Sequence, residues 1–283
     1  MSSIYENHWV QEDAETYHAN PAIGSGMVRT MLKSPYHYKF YHLLGNVKET
    51  TPAMWFGQIA HLAMLETEAF NSRFVVEPKF SGTGSRKAYD DWKKSLAPKT
   101  IILSEKEYAS LRGMSMSLFD TEHFGHVVEF MKKPGIKEHS FYFTDPVTGL
   151  RCKFRPDFLT EDGWIMDLKT TTCSDEKVFK RCIKGLGYHV SAAFYCYGFE
   201  QLFGYKPKGY VFLPIEKKPP YIPTVLTADQ TITGPGEIDF RRGLNRIKEC
   251  TESNYWPGYQ TGPENVSMPH YDLFEYDDEE VTP

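Results

Sequence analysis

The stretch Arg155-Pro156-Asp157-Phe158-Leu159-Thr160-Glu161-Asp162-Gly163-Trp164-Ile165-Met166-Asp167-Leu168-Lys169 decides how this chain reads. Thr160 to Gly163 has turn chemistry and separates a strand over 150–159 from another over 164–169. Side chains alternate between the faces of a strand, so Asp167 and Lys169 share one face. Asp157, on the neighbouring strand, can meet them across the pair. Two carboxylates and one ammonium therefore converge on one patch. An acid and a lysine two apart also arise as a solvated ion pair, but Asp167 stands in the apolar run Trp164 to Leu168, where an acid needs a partner or a metal. Pro156 removes a ladder donor beside Asp157, as at a bulge or strand edge where side chains are re-aimed. Carboxylates favour Mg²⁺ or Mn²⁺, and a lysine beside the ion can orient and help deprotonate a water. The residue types suit metal-assisted phosphodiester hydrolysis.

Upstream of this stretch, His139 to Thr144 alternates like a strand and Asp145 to Gly149 is a turn, so the region reads as a three-stranded meander. Everything before Pro134 has helical spacing or loop composition. The first 20 residues read as a polar, aromatic surface segment. Ser25 to about Leu44 is helical with a boundary at Pro35, and Met54 to Phe70 is an apolar-faced helix. Residues 80–99 are a Gly-, Ser- and Lys-rich loop leading into a short polar helix, and Ser104 with Glu107 forms a capping box for a helix to Phe119. Downstream, helices over 175–186 and 189–203, a strand over 210–215 and a helix over 236–254 complete the pattern. The order predicts an α/β (α+β) fold with a mixed sheet flanked by helices. We expect one domain over 1–270 and an acidic tail over 271–283.

Composition narrows the function. The 283 residues are 41% hydrophobic and 24% charged, as in a folded globular chain rather than a disordered one. No apolar run reaches the ~20 residues that span a bilayer, and no signal-peptide pattern opens the chain, so we expect a cytoplasmic protein with no membrane partner. Five scattered cysteines form no Cys-x-x-Cys pair, which argues against a zinc ribbon or a disulfide framework and fits reduced thiols. The net charge is −5, yet the tail carries six acids and no base, and without those six the rest carries +1. A nucleic-acid groove is therefore compatible with the sum.

Pro156-Asp157, a spacer and Asp167-Leu168-Lys169 resemble the PD-(D/E)XK nuclease signature. Gly57-Gln58-Ile59-Ala60-His61 resembles the Gly-x-x-x-His element of the RecB-like branch, and the resemblance extends to RecE-type exonucleases of phages and prophages, the exonuclease VIII group. It runs from about Ile23 to Gly204 through Ser34-Pro35-Tyr36-His37-Tyr38-Lys39, Gly149 to Asp157, and Tyr188 to Tyr195. It implies a PD-(D/E)XK core with N-terminal helical elements, acting as a Mg²⁺-dependent exonuclease on linear double-stranded DNA, with Mn²⁺ a possible substitute. It further implies 5′→3′ digestion of one strand, a 3′ overhang for a RecT-like annealing protein, and a ring-shaped homo-oligomer such as a tetramer. Asp157 and Asp167 would hold the metals, His61 and the Leu168 carbonyl would add ligands, and Lys169 would position the water. Ser191 replaces the glutamine of a Gln-x-x-x-Tyr element whose tyrosine is Tyr195.

Around this set, Glu138 could approach the cluster as an accessory acid. Arg155, Ser25, Arg29 and Lys33 could contact phosphates, and Tyr188 and Tyr195 could stack on bases. A RecB-like nuclease with an iron–sulfur cluster would need clustered cysteines, which this chain lacks. Another RecB-like DNA nuclease and a non-catalytic DNA-end-binding module are the remaining alternatives.

Overall fold

Residues 164–168 and 210–215 are apolar at most positions, as expected of strands covered on both faces. In the computed structural model they pair in parallel, Ile165 with Tyr210 and Asp167 with Phe212, at the centre of the molecule. The structure describes residues 8–260 except 48 and 83, together with 262 and 266. The expected acidic tail at 271–283 lies outside these residues.

In chain order the elements are β1 (Trp9–Val10), α1 (Ala14–Ala19), α2 (Ser25–Lys33), α3 (Pro35–Tyr38), a π-helical turn (Lys39–Leu43), α4 (Pro52–Leu65), α5 (Thr67–Asn71), β2 (Phe74–Val76), α6 (Ser85–Ser95) and β3 (Ile101–Leu103). They continue with α7 (Glu105–Ser117), α8 (Thr121–Met131), β4 (Gly135–Lys137), β5 (Ser140–Thr144), β6 (Arg151–Phe154), β7 (Phe158–Thr160) and β8 (Trp164–Thr171). Last come α9 (Glu176–Gly185), α10 (Tyr188–Phe203), β9 (Gly209–Glu216), β10 (Leu226–Ala228) and α11 (Gln230–Ser253). The main sheet has the order β10-β9-β8-β7-β4, parallel only between β8 and β9. A second sheet is β1-β5-β6, and β2 and β3 form a parallel pair.

Period-two alternation divides the core. Ile165, Tyr210 and Phe212 pack with α2, α9, α10 and α11 on one face of the main sheet. Met166, Leu168, Val211 and Leu213 pack with α4, α7 and α8 on the other. The expected mixed sheet flanked by helices is therefore what forms.

Four local expectations are corrected. The strand expected over 150–159 is two strands in different sheets: β6 pairs with β5, whereas β7 pairs with β8 and β4. Pro156 has no N–H to give to a ladder, and the chain changes sheet at Arg155-Pro156-Asp157. The expected meander is thus two hairpins. The opening segment is not merely superficial, because β1 extends the second sheet and Tyr17 is buried. The helix expected from Met54 to Phe70 breaks at Glu66 into α4 and α5. The helix expected from Gly236 starts at Gln230, where the Asp229 side chain accepts the Thr231 N–H at 2.9 Å. The capping box of Ser104 and Glu107 is present at the start of α7.

Candidate active site

The site forms where β7 begins and β8 runs past it. Asp157 immediately precedes β7, and its Oδ2 accepts the backbone N–H of Leu168 at 2.6 Å. That bond pins the carboxylate against the strand carrying the other acid. Asp167 is buried, with Oδ1 accepting from the Lys169 ammonium and Oδ2 from the Tyr210 hydroxyl at 2.8 Å. Lys169 also lies 5.1 Å over the ring of Tyr188, at the start of α10. The period of the strand thus puts Asp167 and Lys169 on the predicted common face.

His61 enters from α4, whose first turn is capped by Thr51 and begins at Pro52, a residue suited to that position. The helix packs against β8, and a Cβ at Gly57 would lie 3.5 Å from Thr170 Oγ1. His61 Nδ1 is 3.3 Å from Asp157 Oδ2 and 3.9 Å from Glu138 Oε1. Glu138 has the left-handed φ of +52°, a conformation that costs a non-glycine residue about 1–3 kcal/mol. Its other carboxylate oxygen accepts from Arg155 Nε at 3.0 Å, while Arg155 Nη1 donates to the Glu12 carbonyl at 3.2 Å.

The cluster's electrostatics follow from three acids held close together. Burial alone would lower the His61 pKa, but Asp157 and Glu138 outweigh it and push the imidazole up to about 10. Burial raises the Asp167 carboxyl against the pull of the Lys169 ammonium, and Asp157 adds repulsion. Burial also opposes the charge on Lys169, yet Asp167 and Asp157 raise its pKa.

Ligand atoms of His61, Glu138 and Asp157 lie within 4.8 Å of one another, so one ion could contact all three. A donor set of carboxylates and imidazole fits a divalent cation, and these residues would hold it. In an extended strand the N–H and C=O of one residue lie on the same side. The Leu168 carbonyl therefore lies toward Asp157, as a ligand there would require.

The other predicted residues divide into two groups. Ser25, Arg29 and Ser191 come together where α2 and α10 begin: Ser191 Oγ donates to Ser25 Oγ at 3.2 Å, and Arg29 Nη1 donates to the Leu186 carbonyl at 2.9 Å. Buried Arg29 Nε has no hydrogen-bond partner among the described residues. Lys33 is exposed at the other end of α2.

Arg155, predicted as a phosphate contact, points inward in this structure. It is buried and spent on Glu138 and Glu12, because the chain turns inward at Pro156. Tyr195, predicted to stack on bases, packs half-buried between Phe154 and Tyr210. Ser191 bonds to Ser25 and makes no hydrogen bond to the acidic cluster among the described residues. Tyr210 and Glu12 escaped sequence reading, because a tyrosine on an apolar strand and a backbone carbonyl carry no motif.

A mixed sheet with Asp157, Asp167 and Lys169 around one strand end, and a helix presenting His61, defines a PD-(D/E)XK-type fold. Residues 24–266 match the family described as a PDDEXK-like domain of unknown function (DUF3799), and the chain belongs to that family. No curated protein matches it. A solved structure from Eubacterium rectale, described as a "putative exonuclease", is similar at 13% identity and a TM-score of 0.59, covering 95% of this chain and 99% of that one. An alkaline exonuclease from Laribacter hongkongensis is more distant, at 13% identity and a TM-score of 0.38 over 86% and 97% of the two chains. The first likeness is one of fold.

Proposed function

We propose that the protein is a metal-dependent 5′→3′ exonuclease that degrades one strand of linear double-stranded DNA and leaves a 3′ single-stranded overhang. The observation that carries this reading is the convergence of His61, Glu138, Asp157, Asp167 and Lys169 at the β7–β8 end. His61, Glu138 and Asp157 would hold one Mg²⁺ or Mn²⁺; Asp157, Asp167 and the Leu168 carbonyl would hold a second. Bound there, such ions supply Lewis acidity and a nucleophilic water at neutral pH.

The chain's own groups do the positioning. Lys169 has three donors; Asp167 takes one, and the others orient the attacking water and a phosphate oxygen. The water oxygen bonds to phosphorus as the P–O3′ bond breaks, releasing a 5′-mononucleotide. Tyr210 and the Leu168 N–H keep the two acids from rotating away. Ser25 and Arg29, which meet where α2 and α10 begin, suit a terminal phosphate, since helix N-termini favour anions. That arrangement supports the 5′ polarity. On the same reading the enzyme works in the cytoplasm as a ring-shaped homo-oligomer and passes the overhang to a RecT-like annealing protein.

The test is linear duplex DNA labelled separately at its 5′ and 3′ ends, incubated with Mg²⁺ or EDTA beside a closed circular duplex. Mg²⁺-dependent early release of the 5′ label with the circle intact is the expected result. A nicked circle would make the protein an endonuclease, and end binding without cleavage would make it a non-catalytic module.

A further inference from the structure

Residues 72–106, from the end of α5 into the first turn of α7, carry a charge opposite to the chain as a whole. They hold eight Lys or Arg against four Asp or Glu, a surplus of four positive charges in a chain of net −5. Their helix, α6, buries no residue, so its sequence is not explained by a contribution to the core. Three rings nevertheless gather on it: Phe80 and Tyr89 lie 5.9 Å apart, Phe80 and Trp92 6.0 Å, and Tyr89 and Trp92 5.7 Å. Arg86, Tyr89 and Lys93 follow at i, i+3 and i+7, which makes a cation–aromatic–cation stripe on one helix face.

Beside that stripe, between α6 and the start of α7, lies a groove of about 650 Å³. Phe80, Tyr89 and the bases Lys79, Arg86 and Lys106 line it together with the acids Glu77 and Glu105, so the lining keeps a surplus of one positive charge. Lys79 is paired with Glu105 at 2.9 Å, whereas Arg86, Lys93 and Lys106 make no ion pair among the described residues. The unpaired Arg86 and Lys106 and the half-buried Phe80 and Tyr89 along one open groove match the way single strands are bound, with cations tracking phosphates and rings stacking on unpaired bases.

We infer that the groove between α6 and α7 is a second nucleic-acid site that holds single-stranded DNA. The choice of DNA rests on the exonuclease reading above, which generates a single strand. The groove itself is argued from its charge and its rings. A site outside the cluster of Asp157 and Asp167 would keep the enzyme on its substrate after the duplex end has been consumed.

Binding is read by fluorescence anisotropy with a labelled dT20 single strand and a blunt 20-base-pair duplex, across a salt series, in Lys169→Ala protein that cannot degrade the probes. Arg86→Glu with Lys106→Glu is expected to weaken dT20 binding at least 10-fold. It should also flatten the slope of log K against log salt by about 1.4, at ~0.7 per lost phosphate contact on a single strand. Tyr89→Ala should weaken dT20 binding about 5- to 150-fold, the range expected for one stacked base. Blunt-duplex binding should change less than two-fold, and melting temperatures should hold, because α6 buries nothing.

Unchanged dT20 affinity and slope would overturn the site, as would an equal loss on the blunt duplex. Cleavage by the unsubstituted enzyme with unchanged dT20 binding in the Arg86, Lys106 and Tyr89 variants overturns this inference alone. Unsubstituted enzyme that neither cuts nor binds DNA overturns the exonuclease reading with it.

Discussion

Arg155 and Lys169 show how little a residue's type says about its role until its partners are known. Both are basic and close in sequence to an acid. Lys169 faces the shared patch with donors left over, whereas Arg155 is consumed by Glu138 and the Glu12 carbonyl. Lys169→Ala should retain metal and DNA binding and lose cleavage by about 10²–10⁴-fold, the usual worth of a positioned proton-transfer group. Single-turnover rates at saturating enzyme measure this, and near-normal turnover would remove Lys169 from the mechanism. Arg155→Ala should instead weaken Mn²⁺ binding by about 10- to 100-fold, as loss of a group orienting a metal ligand does. Mn²⁺ titration followed by electron paramagnetic resonance checks it. Normal metal affinity with weakened DNA binding would restore the phosphate contact.

At the scale of elements, the β5–β6 turn is fastened to α10 and α11 through one buried acid. Asp145 accepts from Arg241 at 2.9 Å, from the Tyr197 hydroxyl at 2.6 Å and from the Thr148 N–H at 2.9 Å. Burial alone would raise its pKa, but these bonds outweigh burial and hold the carboxyl below its ordinary value of 3.8. A depressed folded-state pKa stabilises the fold fully above the ordinary value, and that stability is lost as pH falls through the depressed one. Asp145→Asn should therefore cost about 1.5–3 kcal/mol at pH 7, by weakening the charge-assisted bonds to half-buried Arg241 and to Tyr197. The gap from the unsubstituted protein should shrink below pH 4. Urea unfolding at pH 7 and pH 3 measures both, and an equal gap at the two values would show that the charge on Asp145 does not contribute.

For the whole molecule, the main sheet brings four distant parts of the chain to one point. His61 comes from α4, Glu138 from the link between β4 and β5, Asp157 from the sheet change, and Asp167 with Lys169 from β8. Three acids at one point repel one another, so a cation that neutralises them should stabilise the fold. Added Mg²⁺ or Mn²⁺ is expected to raise the melting temperature of the unsubstituted protein, and the shift should vanish in Asp157→Ala. A shift that survives in that variant would put the ion elsewhere. The ring proposed from resemblance is checked by mass photometry, where a monomer at all concentrations would refute it.

Much of the site was legible because its acids obey a local rule. The two-residue period of a strand is enough to set Asp167 beside Lys169, and a short turn brings Asp157 opposite. His61 lies far upstream and was readable only through its resemblance to a known motif. Tyr210, Glu12 and the true partner of Arg155 were not readable at all. Their positions depend on where Pro156 breaks the ladder and on which sheet each half then joins. Both halves are apolar and strand-forming, so their local pattern is the same in either sheet. The choice between sheets belongs to the long-range packing of β4, β7 and β8 against the helices.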